Sequence, residues 1–226
     1  MSSSSSSHRA RGGRSGADRE DRDDPMYRLS KSLSATLRHK APEQGIPIRD
    51  DGYVSVASLL RHPIYRKYTV DDLHKVVEDN NKQRFTLKTD AAGKLWIKAN
   101  QGHSLDLPDL ELDTIDSAAA YPVVVHGTSR RAWELIKASG ALSRMDRNHI
   151  HLATGLPGAS GVISGMRSSS EIHVFVDMAA AIGDGIVFYR SPNGVILTEG
   201  LDGKLPLKYV QRVSSANGTA LDFVTR

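Results

Sequence analysis

Eighteen residues near the middle of the chain, HSLDLPDLELDTIDSAAA from His103 to Ala120, carry neither a helical nor a strand period, are rich in acid and are broken by a proline. Such a stretch reads as a connector. Before it, apolar residues recur at four-residue spacing and end in one pair of alternating runs; after it, short alternating runs dominate. A chain whose period changes once, across a punctuated acidic segment, is constrained to two lobes of different secondary structure, with a boundary near residue 110. At 226 residues it is long enough for both. The expected class is α+β.

In the first lobe, residues 25–110, Asp24-Pro25 caps and opens a helix carrying Leu29, Leu33 and Leu37, which ends before Pro42. DGYVSVASLL (51–60) predicts a turn, a short strand and a helix start. Thr69 with Asp72 forms a capping-box pattern ahead of Val70, Leu73, Val76 and Val77. Arg84–Lys88 and Leu95–Ala99 then flank DAAG as a hairpin. Helices followed by a hairpin suggest a winged helix, a fold that binds nucleic acid in some proteins and only protein in others.

The second lobe, residues 111–226, reads as mostly sheet. Its expected elements are strand YPVVV (121–125), helix RRAWELIKASG, strands HIHLA (149–153), EIHVFVD (171–177) and GIVFY, and an Asn193-Gly194 turn into VILTE. GLPGASGVISG (155–165) suggests a mobile loop but lacks the ending of a P-loop and the spacing of a dinucleotide fingerprint.

Composition closes several chemistries. With no cysteine, the chain has no disulfide, thiolate nucleophile or cysteine-bound zinc. No run reaches the length of a membrane span, and MSSSSSSHRARGGRSG lacks the apolar centre of a secretory signal, so a soluble cytoplasmic or nuclear monomer is expected. Residues 1–24 are almost devoid of apolar side chains and read as a disordered polar arm. The formal charge of +4 fits an anionic partner or ordinary solubility equally well.

Four constellations can carry chemistry. Arg38-His39 sits at a helix end, where cations also serve simply to meet the helix dipole. Lys82-Gln83-Arg84 marks a helix-to-strand junction and reads equally as a solvated basic turn. His126-Gly127-Thr128 closes an apolar strand, where a glycine lets backbone approach a ligand. In Arg147-Asn148-His149-Ile150-His151 the two histidines share one strand face. With His126 they number three imidazoles, yet neighbouring arginines disfavour a metal cation. Arginine and histidine at element ends, with few carboxylate bases, fit a phosphate-bearing substrate better.

Taken in order, LSKSLSATLRHK, DGYVSVASLL, NNKQRFTL, IKANQGHS, HGT, RNHIHLA, SGMR and NGVILTEG resemble the NAD-dependent RNA 2′-phosphotransferase family, the tRNA 2′-phosphotransferases, over roughly residues 28–212. The resemblance implies a winged-helix RNA-binding lobe joined to an ADP-ribosyltransferase-like NAD-binding lobe, with the active site between. It places the catalytic set on Arg38, His39, Arg84 and Arg147. It puts His126, Gly127, Thr128, His151 and Arg167 beside NAD, with Lys82 toward RNA and no metal. Val195 stands where toxin-like ADP-ribosyltransferases keep a glutamate, Glu199 being a nearby decoy. The implied reaction moves the internal 2′-phosphate of spliced tRNA to NAD through 2′-phospho-ADP-ribosylated RNA. Its products are a 2′-hydroxyl, ADP-ribose 1″,2″-cyclic phosphate and nicotinamide. Two other readings stay open: a metal-free RNA phosphodiesterase, for which His126-Gly127-Thr128 supplies only half of a paired motif, and a winged-helix RNA-binding protein without catalysis.

Overall fold

The computed structural model describes residues 24–79, 82–159, 162, 166–167 and 169–223. Nearly all of the expected arm, and much of the glycine-rich 155–165 segment, lie outside them.

Helix α1 (Pro25–Ala35) begins as its sequence dictates: the Asp24 carboxylate accepts from the Met26 N–H at 2.9 Å, and Pro25 fills the first turn. Its Leu29 and Leu33, with Leu37 beyond, are completely buried. A π turn (Thr36–Lys40) follows it. Strand β1 (Val54–Ser55), α2 (Val56–Arg61) and α3 (Val70–Glu78) come next. The Thr69–Asp72 capping box closes in both directions, at 3.2 and 2.9 Å. β2 (Phe85–Thr89) and β3 (Leu95–Ala99) form the expected hairpin, and β1 adds to it to give the order β1-β3-β2. Arg84 precedes β2 rather than opening it. One core joins the helices to this sheet, with Leu29, Leu33, Leu37, Leu59, Tyr65, Leu73, Phe85 and Ile97 at its centre. Full burial of each such side chain stabilises by roughly 1.5–3 kcal/mol.

A second, separate core belongs to the antiparallel sheets that follow. The elements are β4 (Asp113–Ile115), β5 (Val125–Thr128), α4 (Arg130–Ser139), β6 (Ala141–Ser143), β7 (Ile150–Leu152), β8 (Ile172–Val176), α5 (Met178–Gly183), β9 (Phe188–Arg190), β10 (Ile196–Thr198), β11 (Lys204–Pro206), β12 (Val210–Ser215) and β13 (Ala220–Leu221). They assemble as β4-β9-β10-β7, β13-β12-β8-β5 and β11-β6, the two four-stranded sheets meeting at a Val125–Ala153 bridge. Mixed helices and antiparallel sheets make the chain α+β, as expected.

Two local expectations are corrected. The acidic connector is not wholly irregular: β4 lies within it and pairs with β9, three residues being too few for a period to show. The strand expected over 121–125 instead spans Val125–Thr128, because Pro122 has no N–H to donate and pairing with β8 starts at Val125↔Phe175. His126, Gly127 and Thr128 are therefore themselves strand residues, the last three of β5, opposite Val174, His173 and Ile172.

Candidate active site

Two lobes contribute side chains to one cleft, and each contribution has a local cause. After α1 the Ala41 N–H bonds to the Thr36 carbonyl at 2.9 Å, an i→i+5 closure that widens the last turn. Arg38 and His39 lie in that turn. The connector crosses beneath them. Gly102, at φ +90°, packs against the Arg38 guanidinium, where a Cβ would stand 3.4 Å from Nε. Ser104 then donates its N–H to the Arg38 carbonyl at 3.0 Å, with its hydroxyl 2.9 Å from His39 Nδ1.

Arg84 is set by the base of the hairpin. Its carbonyl accepts from the Asn100 N–H at 2.9 Å, while the buried Asn100 side chain donates to the Gln83 carbonyl at 2.7 Å. Lys82 crosses to the second lobe, donating to the Met166 carbonyl at 2.7 Å, and its own carbonyl accepts from Asn193 Nδ2 at 2.9 Å. Arg147 lies between β6 and β7, its carbonyl accepting from Arg144 Nη1 at 2.7 Å. The next residue, Asn148, ties this segment to the connector through its N–H to the His103 carbonyl (2.9 Å) and its Nδ2 to the Leu105 carbonyl (2.7 Å).

These struts crowd like charges together. Burial first, then the positive charges of Arg147 and Arg84, pushes Arg38 down to about 10. Burial and then Arg84 and Arg167 lower Lys82; burial and then Arg167 lower Arg147. Arg38 Nε and Nη2 are buried with no hydrogen-bond partner, and neither Arg38 nor Arg147 has a carboxylate partner, among the described residues. Unmatched guanidinium donors converging at one place form a receptor for an anion with several oxygens.

A cleft of about 1240 Å³ opens beside this cluster, lined by His39, Ser104, Arg147, His149, His151 and Arg167 and by His126–Thr128 at the sheet edge. His126 Nδ1 lies 3.0 Å from the His151 carbonyl, which can only accept, so Nδ1 carries the hydrogen and Nε2 the lone pair. His149 stands edge-on to Tyr189 and 4.0 Å from Glu199, a carboxylate the sequence reading had set aside. His151 Nε2 is buried without a partner among the described residues. Gly127 has a packing cause: a Cβ there would stand 2.1 Å from Met166 Cγ and 2.7 Å from Ser170 Oγ. Val195 is fully buried. No three His, Asp or Glu side chains converge as metal ligands among the described residues, and no helix among them is long and apolar enough to cross a membrane.

The site also marks how stability should follow pH. Burial, then Arg38, holds His103 down at about 3; burial, then Arg147, does the same to His151. Unfolded, both titrate near 6.5, so the unfolded chain binds more protons throughout the interval below that value. Their contribution to stability is complete above about pH 6.5 and is lost as pH falls toward 3, at about 1.4 kcal/mol per pH unit for each group. Urea midpoints between pH 7.5 and 5 should fall, and His103→Asn should flatten the slope. An equal slope in that variant would contradict the assignment.

His39, Arg147 and Arg167 line the cleft together with His126, Gly127, Thr128 and His151, while Arg38, Arg84 and Lys82 lie outside its lining and are joined to Arg147 and Arg167 through mutual charge repulsion. Sequence reasoning missed Ser104, Asn100, Asn148 and Asn193 as supports. Each fell inside a quoted motif, IKANQGHS, RNHIHLA or NGVILTEG, but bonds to distant carbonyls and to His39 leave no pattern in the sequence.

Comparison with known proteins finds relatives over most of the chain. A family model described as RNA 2′-phosphotransferase, Tpt1/KptA family, matches residues 24–200. The chain is 50% identical over 204 residues to tRNA 2′-phosphotransferase 1 of Homo sapiens, covering 88% of this chain and 79% of that protein. It is 40% identical over 205 residues to tRNA 2′-phosphotransferase of Saccharomyces cerevisiae, covering 88% and 89%. A Schizosaccharomyces pombe relative is 48% identical over 196 residues, 87% of this chain, and the chain spans about half of that protein's length (53%). With most of the chain matched by the family model and by relatives at this identity, the protein belongs to the RNA 2′-phosphotransferase family of enzymes.

Proposed function

We propose that this protein removes the 2′-phosphate of a spliced tRNA by transferring it to NAD, which is consumed. In this reading residues 25–110 are a winged-helix RNA-binding lobe, and residues 111–226 an ADP-ribosyltransferase-like lobe that takes NAD. The observation that carries it is the cluster of Arg38, Arg84 and Arg147, with buried, unmatched guanidinium donors at Arg38, beside a cleft of about 1240 Å³ that Arg147 lines. Names borne by the relatives supply the tRNA substrate.

The residues suit a two-step transfer. A 2′-phosphate is already anionic, so its attack on the ribose carbon that bears nicotinamide needs placement more than deprotonation. Arg38, Arg84 and Arg147 supply that placement, and His126, Gly127, Thr128, His151 and Arg167 hold the dinucleotide. The bond from phosphate oxygen to ribose carbon forms as nicotinamide leaves with its bonding electrons. In the second step the ribose 2″-oxygen attacks phosphorus and the RNA 2′-oxygen departs, taking up a proton while the attacking hydroxyl loses one. Negative charge then builds on phosphoryl oxygens within reach of Arg84 and Arg147. His39 touches the phosphate or moves a proton there. Lys82 steers RNA at the junction of the lobes.

The test is nicotinamide release that depends on a 2′-phosphorylated RNA oligonucleotide. Release is expected with that RNA, absent with its dephosphorylated counterpart, and unchanged after treatment with a chelator. Activity lost to the chelator and restored by zinc would favour a metal held by His126, His149 and His151 instead.

A further inference from the structure

Ser104 carries no charge and stands outside the cation cluster, yet touches it twice: N–H to the Arg38 carbonyl at 3.0 Å, and hydroxyl to His39 Nδ1 at 2.9 Å. The serine is held where it is from both sides. Gly102 turns the chain under the Arg38 guanidinium, and the carbonyl of the buried His103 is fixed by the Asn148 N–H from the other lobe. With Nδ1 engaged by the serine, the nitrogen His39 has left for the cleft it lines is Nε2.

We propose that Ser104 is the positioning residue for His39, fixing its ring so that Nε2 faces the bound phosphate and, with that anion accepting, carries the hydrogen. This rests on the reading of the cleft mouth as the 2′-phosphate site. Partial burial, then Arg38, then Arg147 from the β6–β7 segment, then Lys40 all oppose a further positive charge on the ring, and His103 from the connector adds none. A neutral imidazole has one N–H. Were it on Nδ1, pointing at the serine oxygen, Nε2 would turn a lone pair toward phosphate oxygens, acceptor against acceptor. With the Ser104 hydroxyl donating to Nδ1, the N–H is on Nε2 and donates to the anion. Should the ring gain a proton during turnover, the same hydroxyl can rotate and accept from Nδ1–H, so one residue serves both protonation states.

Nitrogen-15 NMR of the full chain with labelled histidine and saturating inorganic phosphate reads this directly. His39 is expected as the Nε2–H tautomer in the wild type, as a mixture in Ser104→Ala, and as Nε2–H again in Ser104→Thr. In turnover, Ser104→Ala should lower kcat by about tenfold or more with KM for NAD and for the RNA oligonucleotide within about twofold, and Ser104→Thr should recover most of it. An unchanged tautomer in Ser104→Ala would overturn the proposal. So would a threonine variant that melts like wild type yet stays as slow as the alanine. If the wild type itself releases no nicotinamide while the tautomer shifts as stated, the functional reading fails and the positioning role stands.

Discussion

Arg84→Ala and Arg147→Ala are each expected to lower overall turnover by about a hundredfold or more and to leave behind RNA that carries 2′-phospho-ADP-ribose. The reason is the different charge demand of the two steps. The first begins with an anion already able to attack, so losing one guanidinium weakens placement while Arg38 and the remaining arginine keep the phosphate in reach. The second builds extra charge on phosphoryl oxygens, and removing a fixed donor from such a centre costs about a hundredfold to a thousandfold. His126→Ala should do the opposite, slowing formation of the intermediate, since that side chain lies along the cleft wall at the His151 carbonyl. Gel mobility of labelled RNA resolves substrate, intermediate and product. Arginine variants that lose both steps in equal proportion, with no intermediate, would show that their charge is not reserved for the second transition state.

The largest effect on stability is expected at a glycine that supplies none of these side chains. Gly200, at φ +67°, follows β10, and a Cβ there would stand 2.2 Å from the Lys204 carbonyl oxygen and 2.5 Å from its carbon. Those are backbone atoms, held by reciprocal bonds between Leu201 and Lys204 at 2.7 and 3.0 Å, so they have no easy way to yield. Gly200→Ala therefore combines a left-handed backbone cost of about 1 kcal/mol with a clash that must move β11. A total loss of about 3 kcal/mol or more is expected in urea unfolding. The damage should also reach catalysis. β11 pairs with β6, Gly203 accepts from the Arg144 N–H at 3.0 Å, and Arg144 supports the Arg147 carbonyl. A variant with wild-type urea midpoint would mean that this connection bends more readily than its hydrogen bonds imply.

What the sequence revealed followed from the range of the forces involved. Capping at Asp24 and Thr69, the leucine stripe of α1 and the hairpin are set by neighbours a few residues apart, and each formed where its pattern lay. The strands β6, β11, β12 and β13 went unseen because they are short or owe their pairing to partners far along the chain, Lys204 to Ser143 for example. His126–Thr128 do close a strand, as expected, but belong to it as the last three residues of β5: β8 sets where pairing begins. The charged members of the site were legible as residue types that match a family motif. Asn100, Asn148 and Asn193 also fell inside quoted motifs, but their supporting roles were not legible, since an amide that bonds a distant carbonyl leaves no periodic trace.

The wide turn at the end of α1 stores positional information that the helix cannot. Counted by residues, a π turn is equivalent to a regular helix with one residue inserted. Deleting a single residue within Thr36–Lys40 would let an ordinary α-helix run through, with no hydrogen bond lost in principle. Residues beyond the turn would keep their phase, because the wide turn had absorbed the extra residue, while those inside it would turn about the axis by several tens of degrees. Leu29 and Leu33 would keep their places in the core, and the chain would still fold its first lobe. Arg38 and His39 would swing away from Gly102 and Ser104. Folding and the aim of the two cations are thus encoded by different features of one segment, the leucine stripe and the phase of the turn. A single-residue change in length can therefore erase one while preserving the other.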